Sequence, residues 1–459
     1  MPWDLALNTA MSFVTNTDWQ AYSGETAMSY LSQFAVLTTQ NFASAAVGVA
    51  ALLAVIRGFS RKESQTVGNF WVDITRFTLY VLVPLSIVLT LLMVSQGAVQ
   101  NFAPNHVVQG ILLPSGPASS QFAISLLGSN GGGFFGANAA ALFHNPTGLS
   151  NLFESVAIVL LPAALVVMFG QMVGRRQAMV IYAVMLGLLV LAVIGTTLSE
   201  LHLGQHVAGV AGSTALEGKN GVNGIGLSAL WNTLSTAVSN GSVNASLDSF
   251  TPLGGLIPML LMQLGEIVFG GVGSGLYGML SFVLLTVFIS GLMVGRTPEY
   301  LGKKIAAYDM KMVALAILLP PVLTLVGTGI AVSWPGIRSS LTNTGAHGFS
   351  EILYGFSSMG NNNGSSFAGF NGDQLMGQCG WRGVNGLHPF CPATGDGVSR
   401  GQFGQEKANG NFKWHFADRY WTLCRVIVSD YFIDWGIEFC ASPYFGANCR
   451  FSHGKVRRI

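Results

Sequence analysis

Leu353–Phe367 reads LYGFSSMGNNNGSSF. A short apolar run ends in three asparagines, a glycine and two serines, so water-seeking backbone follows a half-length helix between apolar segments. The same device occurs three more times: TNTDWQ at Thr15–Gln20, SNGGGFF at Ser129–Phe135 and SNGSV at Ser239–Val243. Aligned on Asn16, Asn130, Asn240 and Asn363, the copies lie 114, 110 and 123 residues apart. Asn8–Asn16 (NTAMSFVTN) and Asn232–Asn240 (NTLSTAVSN) are directly alike. A recurring unit of this length is a fold-level repeat.

Half of the 459 residues are hydrophobic, only 9% are charged, and the mean hydropathy is +0.50. A soluble chain carries about 25% charged residues, so this is a polytopic membrane protein. Its net charge of +2 gives no footprint for nucleic acid. Irregular backbone at membrane depth is tolerated only where protein buries it or where it lines a wet cavity. Four such loops on one axis would make rings of backbone carbonyls, which replace the hydration shell of a potassium ion in a selectivity filter. Gly131, Gly241 and Gly364 follow their asparagines directly, and glycine reaches positive φ without steric cost. In the first copy Thr17 takes that place, so the fourfold pattern is broken there.

Taken in order, apolar spans are expected at Tyr30–Ile56, Thr78–Val94, Asn151–Val173, Gln177–Leu198 and Met312–Trp334, with pore segments at 5–20, 122–135, 227–243 and 351–367. Pro252–Gly295 is too long for one crossing, and its middle, Gly265–Gly278, is GEIVFGGVGSGLYG. It reads as two half-helices around a break holding Glu266, and broken membrane helices mark ion sites or gates. A tightly packed, glycine-kinked helix is the plainer alternative. The Lys/Arg-rich stretches 57–76, 174–176 and 296–311 are separated by two crossings plus a pore loop, whereas the opposite loops hold only Lys219 and Arg338. The positive-inside rule makes the basic stretches cytoplasmic and turns the four loops to the exterior. The expected architecture is all-α and polytopic: repeated helix–pore loop–helix units of the potassium-channel-like superfamily, with about six crossings and four re-entrant loops.

A pore loop needs an outgoing helix before it; none is encoded ahead of Met1, so an upstream segment is expected. After about Asp373 the character changes. All five cysteines and four of nine tryptophans fall in the last 81 residues, at spacings that match no zinc or haem pattern. A membrane pore domain over 1–373 and an out-of-frame, poorly ordered tail over 374–459 are expected.

These blocks closely resemble one family, the potassium-binding A subunit of the bacterial Kdp potassium-transporting P-type ATPase. The resemblance is carried by WDLALNTAMSFVTNTDWQAYSGET (3–26), GSNGGGFFGAN (128–138) with NPT (145–147), GEIVFGGVGSGLYGM (265–279), GRTPEYLGKKI (295–305), HGFSEILY (347–354) and NNNGSSFAG (361–369), in order, up to about residue 373. The family has ten membrane helices, of which the first two are not encoded here and the last two do not match the tail. The resemblance implies a non-catalytic subunit of a multi-pass cytoplasmic-membrane complex. It collects external potassium, the transported ion, and passes it to a P-type ATPase B subunit, with small C and F subunits completing the assembly. By position the implied filter comprises Thr15, Asn16, Thr17, Asp18 and Gln20; Ser129, Asn130, Gly131 and Gly132; Ser239, Asn240 and Gly241; and Asn362, Asn363 and Gly364. Asp18 stands where the family usually has asparagine. The implied gate is the interrupted helix with Glu266, Gly270, Gly271, Gly273 and Gly275.

Other chemistry finds little support. Gly273–Gly278 fits G-x-G-x-x-G but sits inside an apolar crossing rather than a βαβ unit. No phosphate-binding GK[ST] loop or Asp-Lys-Thr-Gly-Thr sequence is present, so ATP-driven uptake needs a partner. His144 and His347 read as loop or capping residues, and no cofactor and no metal beyond potassium are expected. The N-x-[ST] sequences at Asn240, Asn244 and Asn363 read as spurious. A stand-alone potassium channel or ion-coupled symporter would use the same four loops; a membrane enzyme would need a polar catalytic cluster that the spans lack.

Overall fold

The computed structural model describes residues 2–60, 67–109, 111–203 and 216–371. The expected out-of-frame tail, 374–459, lies outside the described residues. Among the described residues, eleven helices of ten residues or more fall in two length classes: α1 Trp3–Val14, α2 Ser32–Ser60, α3 Phe70–Ser95, α4 Ala118–Leu127, α5 Gly148–Met172, α6 Arg175–His202, α7 Gly224–Ala237, α8 Pro252–Gln263, α9 Ser274–Met293, α10 Ala307–Ser333 and α11 Gly345–Gly360. Among the described residues, six (α2, α3, α5, α6, α9 and α10) are long and apolar enough to cross a membrane. The short helices α1, α4, α7 and α11 cannot cover about 30 Å of hydrocarbon. Each short helix runs directly into one of the polar loops.

The elements start and stop for local reasons. Asn69 accepts from the Val72 N–H at the start of α3, and Thr147 and Ser150 form a reciprocal cap on α5. Pro252 opens α8 where its missing N–H costs nothing, and the Thr251 hydroxyl accepts from Gly254. Apolar faces of α2, α4, α5, α6, α7, α9 and α10 share one buried core that includes Trp231, Phe169, Leu52 and Ile56. The outer faces stay apolar as well: Leu79, Tyr80 and Leu91 on α3, Val180 and Leu191 on α6, and Leu318 and Leu325 on α10 are exposed. An apolar exterior on long helices is what a bilayer solvates.

The structure moves several boundaries. The pore helices begin earlier than the apolar runs suggest, at Ala118, Gly224 and Gly345 instead of 122, 227 and 351. The basic stretch 57–76 is not all loop: Arg57 lies in the last turn of α2, Asp73 and Arg76 lie within α3, and Arg57 grips Asp73 with two N–H groups. Helix continues past the apolar run because the two helix ends pair their own charges. Likewise Glu200 belongs to α6 and Lys311 to α10. The first and third basic stretches meet, as expected for loops on one face: Lys303 donates to the Gly58 carbonyl, and Phe59 packs edge-on against Tyr300 at 5.7 Å. Two small antiparallel hairpins, His106–Val108 with Ile111–Leu113 and Glu299–Tyr300 with Lys303–Lys304, decorate the loops.

Candidate functional site

The four loops follow one backbone plan. At the end of each short helix an N–H reaches back five residues to a serine carbonyl: Thr17 to Ser12 at 2.9 Å, Asn130 to Ser125 at 2.9 Å, Asn240 to Ser235 at 2.8 Å and Asn363 to Ser358 at 2.8 Å. The residue before each of these has positive φ: Asn16, Ser129, Ser239 and Asn362. So does the residue after each: Asp18, Gly131, Gly241 and Gly364.

This corrects the register read from the sequence by one residue in the first copy. Thr17, not Asn16, is the counterpart of Asn130, Asn240 and Asn363, and Asp18, not Thr17, occupies the glycine position. The likeness between NTAMSFVTN and NTLSTAVSN is therefore out of register. The serine five residues before each pivot (Ser12, Ser125, Ser235, Ser358) is the signal that could have fixed the alignment.

The loops close into a ring in chain order. Each pivot side chain reaches back to the preceding unit. Asn240 Nδ2 donates to the Ser125 carbonyl at 3.1 Å, Asn363 Nδ2 to the Ser235 carbonyl at 3.4 Å, and Asn130 Nδ2 to Asn16 Oδ1. Thr17 Oγ1, 2.5 Å from Asn362 Oδ1, links the first unit to the fourth. Each glycine in turn presses on the following unit. A Cβ on Gly131 would lie 1.9 Å from the Asn240 oxygen, one on Gly241 2.0 Å from the Asn363 oxygen, and one on Gly364 2.0 Å from the Thr17 oxygen. Only residues without a Cβ allow that approach.

The residues named for the filter lie in these four loops. Thr15 Oγ1 lies 2.8 Å from Thr17 Oγ1, and Gln20 Oε1 accepts from the Gly133 N–H at 2.9 Å. Asn16 Nδ2 donates to the Ser129 carbonyl at 3.1 Å, and Ser239 Oγ to the Asn362 carbonyl at 3.1 Å. Gly132 faces Asp18, whose backbone oxygen is 3.2 Å from the Cβ position. The helix ends carry partial negative charge toward these loops, which suits a cation. Asn240, Asn244 and Asn363 are fully buried, so no glycan can reach them.

The interrupted crossing sits beneath the loops. α8 ends at Gln263, α9 starts at Ser274, and five residues between have positive φ: Gly265, Glu266, Phe269, Gly270 and Gly273. The Gly270 N–H donates to the Ala237 carbonyl at the end of α7, 3.2 Å away. The Glu266 carboxyl lies against the Ser239 and Asn363 side chains. A Cβ on Gly275 would strike the Phe269 oxygen at 1.8 Å, one on Gly273 the Gly48 oxygen at 2.2 Å, and one on Gly271 would meet Ser274 Oγ at 2.5 Å.

Sequence reasoning missed the supports around the ring. Asn151 Oδ1 accepts from both Asn145 and Asn244, at 2.8 and 2.9 Å, tying the second unit to the third. Ser44 Oγ accepts from Asn130 at 2.6 Å. His144, buried 3.0 Å from Glu154, stacks on Phe122 at 3.4 Å. The bonds of Asn244 to Asn151 and of Asn130 to Ser44 join residues 93 and 86 positions apart and leave no local motif.

The family model described as KdpA, potassium-transporting ATPase A subunit, matches residues 1–381. The potassium-transporting ATPase potassium-binding subunit of Listeria monocytogenes serotype 4a (strain HCC23) is 60% identical over 380 residues, covering 81% of this chain and 68% of the relative. The subunit of the same description from Photorhabdus laumondii subsp. laumondii is 55% identical over 384 residues, covering 82% and 68%. Among solved structures, the potassium transporter TrkH from Vibrio parahaemolyticus matches with a TM-score of 0.55 at 12% identity, over 85% of this chain and 76% of that one. This last likeness is one of fold.

Proposed function

The chain belongs to the family of potassium-transporting ATPase A subunits, and we propose that it takes up potassium in the ring formed by Asn16–Asp18, Ser129–Gly132, Ser239–Gly241 and Asn362–Gly364. It is a multi-pass membrane subunit that binds potassium within a P-type ATPase complex and is not itself the catalyst. The observation that carries the ring assignment is the closed cycle of pivot side chains, each bonded to the preceding unit. That cycle fixes the spacing of the carbonyls independently of any ion, and a preformed carbonyl ring can take the place of water around a potassium ion.

In the same reading, the side of the ring away from the basic stretches faces the exterior. The ion then passes Glu266 and the break between α8 and α9, which opens or blocks the inner path. Glycines at Gly270, Gly271, Gly273 and Gly275 let the backbone turn tightly there, and the Glu266 side chain reaches the underside of the third and fourth loops. ATP is hydrolysed by a B subunit, with C and F subunits completing the complex, and the pore domain covers residues 1–373.

The test is growth of a potassium-uptake-deficient strain on limiting potassium, with the partner subunits co-expressed. Gly241→Asp or Gly364→Asp is expected to raise the potassium concentration needed for growth at least tenfold. Growth equal to the parent's in both variants would remove the ring from the transport path. Uptake that persists without the ATPase partner would point to a stand-alone channel or symporter.

A further inference from the structure

Where the third and fourth units meet at the start of α11, a cluster of side chains takes no part in the proposed ring or break. Asp248 lies in the turn Leu247–Ser249 that follows the third loop, while His347 and Glu351 sit one turn apart on α11. One ligand atom from each lies within 4.8 Å of the others, the one such group of three among the described residues. His347 Nε2 is 2.7 Å from Asp248 Oδ1. Asn343 holds both carboxylates in place: its Nδ2 donates to Asp248 Oδ2 at 3.0 Å and to Glu351 Oε1 at 2.8 Å, and its backbone N–H donates to Glu351 Oε1 at 3.2 Å. Gly369 leaves the room they occupy, since a Cβ there would come within 2.4 Å of Glu351 Oε1.

One atom is left over. Glu351 is fully buried, and its Oε2 has no hydrogen-bond partner. A buried carboxylate oxygen without a donor is costly. A cation would satisfy it, and the 44% exposure of the His347 side chain gives that cation a way in.

We propose that Asp248, His347 and Glu351 bind a divalent transition-metal ion of the zinc type. The donor set selects the class. An imidazole nitrogen with two carboxylate oxygens suits zinc, whereas calcium asks for six to eight oxygens and magnesium for a near-octahedral oxygen shell. Zinc–ligand bonds of about 2.0–2.2 Å put neighbouring donors about 3.3 Å apart in a tetrahedron. The cluster reaches this by opening the His347–Asp248 contact by about half an ångström and drawing in the third donor. Ligation requires the His347 nitrogen that faces Asp248 to be free of a proton. Asn343 is then the outer partner that orients both carboxylates. Such an ion would pin the turn after the third loop to the fourth pore helix.

The test uses the complex assembled with its partner subunits, stripped with chelator and titrated with ZnCl2 by calorimetry, with CaCl2 as contrast. One zinc ion per chain is expected, with no saturable calcium binding at the site. His347→Ala and Asp248→Asn are each expected to weaken zinc at least tenfold. Glu351→Gln, which keeps the shape, should do the same, and His106→Ala, on an exposed hairpin, should leave the affinity unchanged. Potassium-stimulated ATP hydrolysis in zinc-free buffer containing magnesium verifies that each variant is assembled. Absence of saturable zinc binding, or unchanged affinity in assembled His347→Ala or Asp248→Asn, overturns the assignment. Neither result bears on the potassium ring.

Discussion

Gly364 and Thr17 close the ring: the α-carbon of Gly364 lies so near the Thr17 carbonyl that a single added carbon would sit 2.0 Å from its oxygen. These residues are at opposite ends of the pore domain, so the first and fourth units meet without a covalent neighbour between them. The same relation joins Gly241 to Asn363 and Gly131 to Asn240.

Gly364→Ala and Gly241→Ala therefore test the ring with the smallest possible change. Both positions have positive φ, so the variants combine a backbone penalty with an overlap against a carbonyl. The KM for potassium in stimulated ATP hydrolysis is expected to rise at least tenfold, equivalent to about 1.4 kcal/mol. Gly226→Ala, where nothing lies within 4 Å, is the control and should change nothing.

Asp18 occupies the glycine position of the first loop with φ +52, and it is buried. Asp18→Gly is expected to raise the thermal unfolding temperature of the complex by removing strain of about 1 kcal/mol. Asp18→Asn keeps the strain and exchanges the carboxyl for an amide of the same shape, so it should leave the unfolding temperature near the parent's. Equal unfolding temperatures for the glycine and asparagine variants would show that the backbone there is not strained.

The fold was legible because two signals are local. Long apolar runs marked α2, α5, α6 and α10, and Gly265–Gly278 marked the break before α9. The first loop was read one residue out of register, because Asn16 resembles the pivots in identity while Thr17 matches them in hydrogen bonding. A threonine hydroxyl can reach the neighbouring unit as an asparagine amide does, so side-chain identity misled where backbone geometry decides. The cluster of Asp248, His347 and Glu351 was invisible for a different reason: its members lie 99 residues apart, from Asp248 to His347, and meet only after the third and fourth units pack.

Lys219 shows how the outer loops are held. It is buried 3.1 Å from Glu200 and lies 4.7 Å from the centre of the Phe250 ring, and Glu200 also accepts from the Thr251 N–H and hydroxyl at 2.8 and 2.9 Å. Removing one partner strands a buried charge, which costs about 3–5 kcal/mol. Lys219→Met is expected to lower the unfolding temperature sharply, and Lys219→Met with Glu200→Gln to recover most of the loss. A double variant no more stable than the single one would show that the two charges do not act as a pair.

The break between α8 and α9 depends on backbone contacts that no side chain permits. A Cβ on Gly275 would lie 1.8 Å from the Phe269 oxygen, and one on Gly270 would lie 2.1 Å from the Glu266 oxygen. Gly275→Ala should push the Phe269–Gly270 segment away from α9 and disturb the position of Glu266 under the third and fourth loops. The ring contacts themselves are left intact, since none of them involves Gly275. The expected pattern is a fall in the maximal rate of potassium-stimulated hydrolysis of at least tenfold with the KM for potassium within about threefold of the parent's. A raised KM with an unchanged maximal rate would place the break in ion capture and remove it from the later passage of the ion.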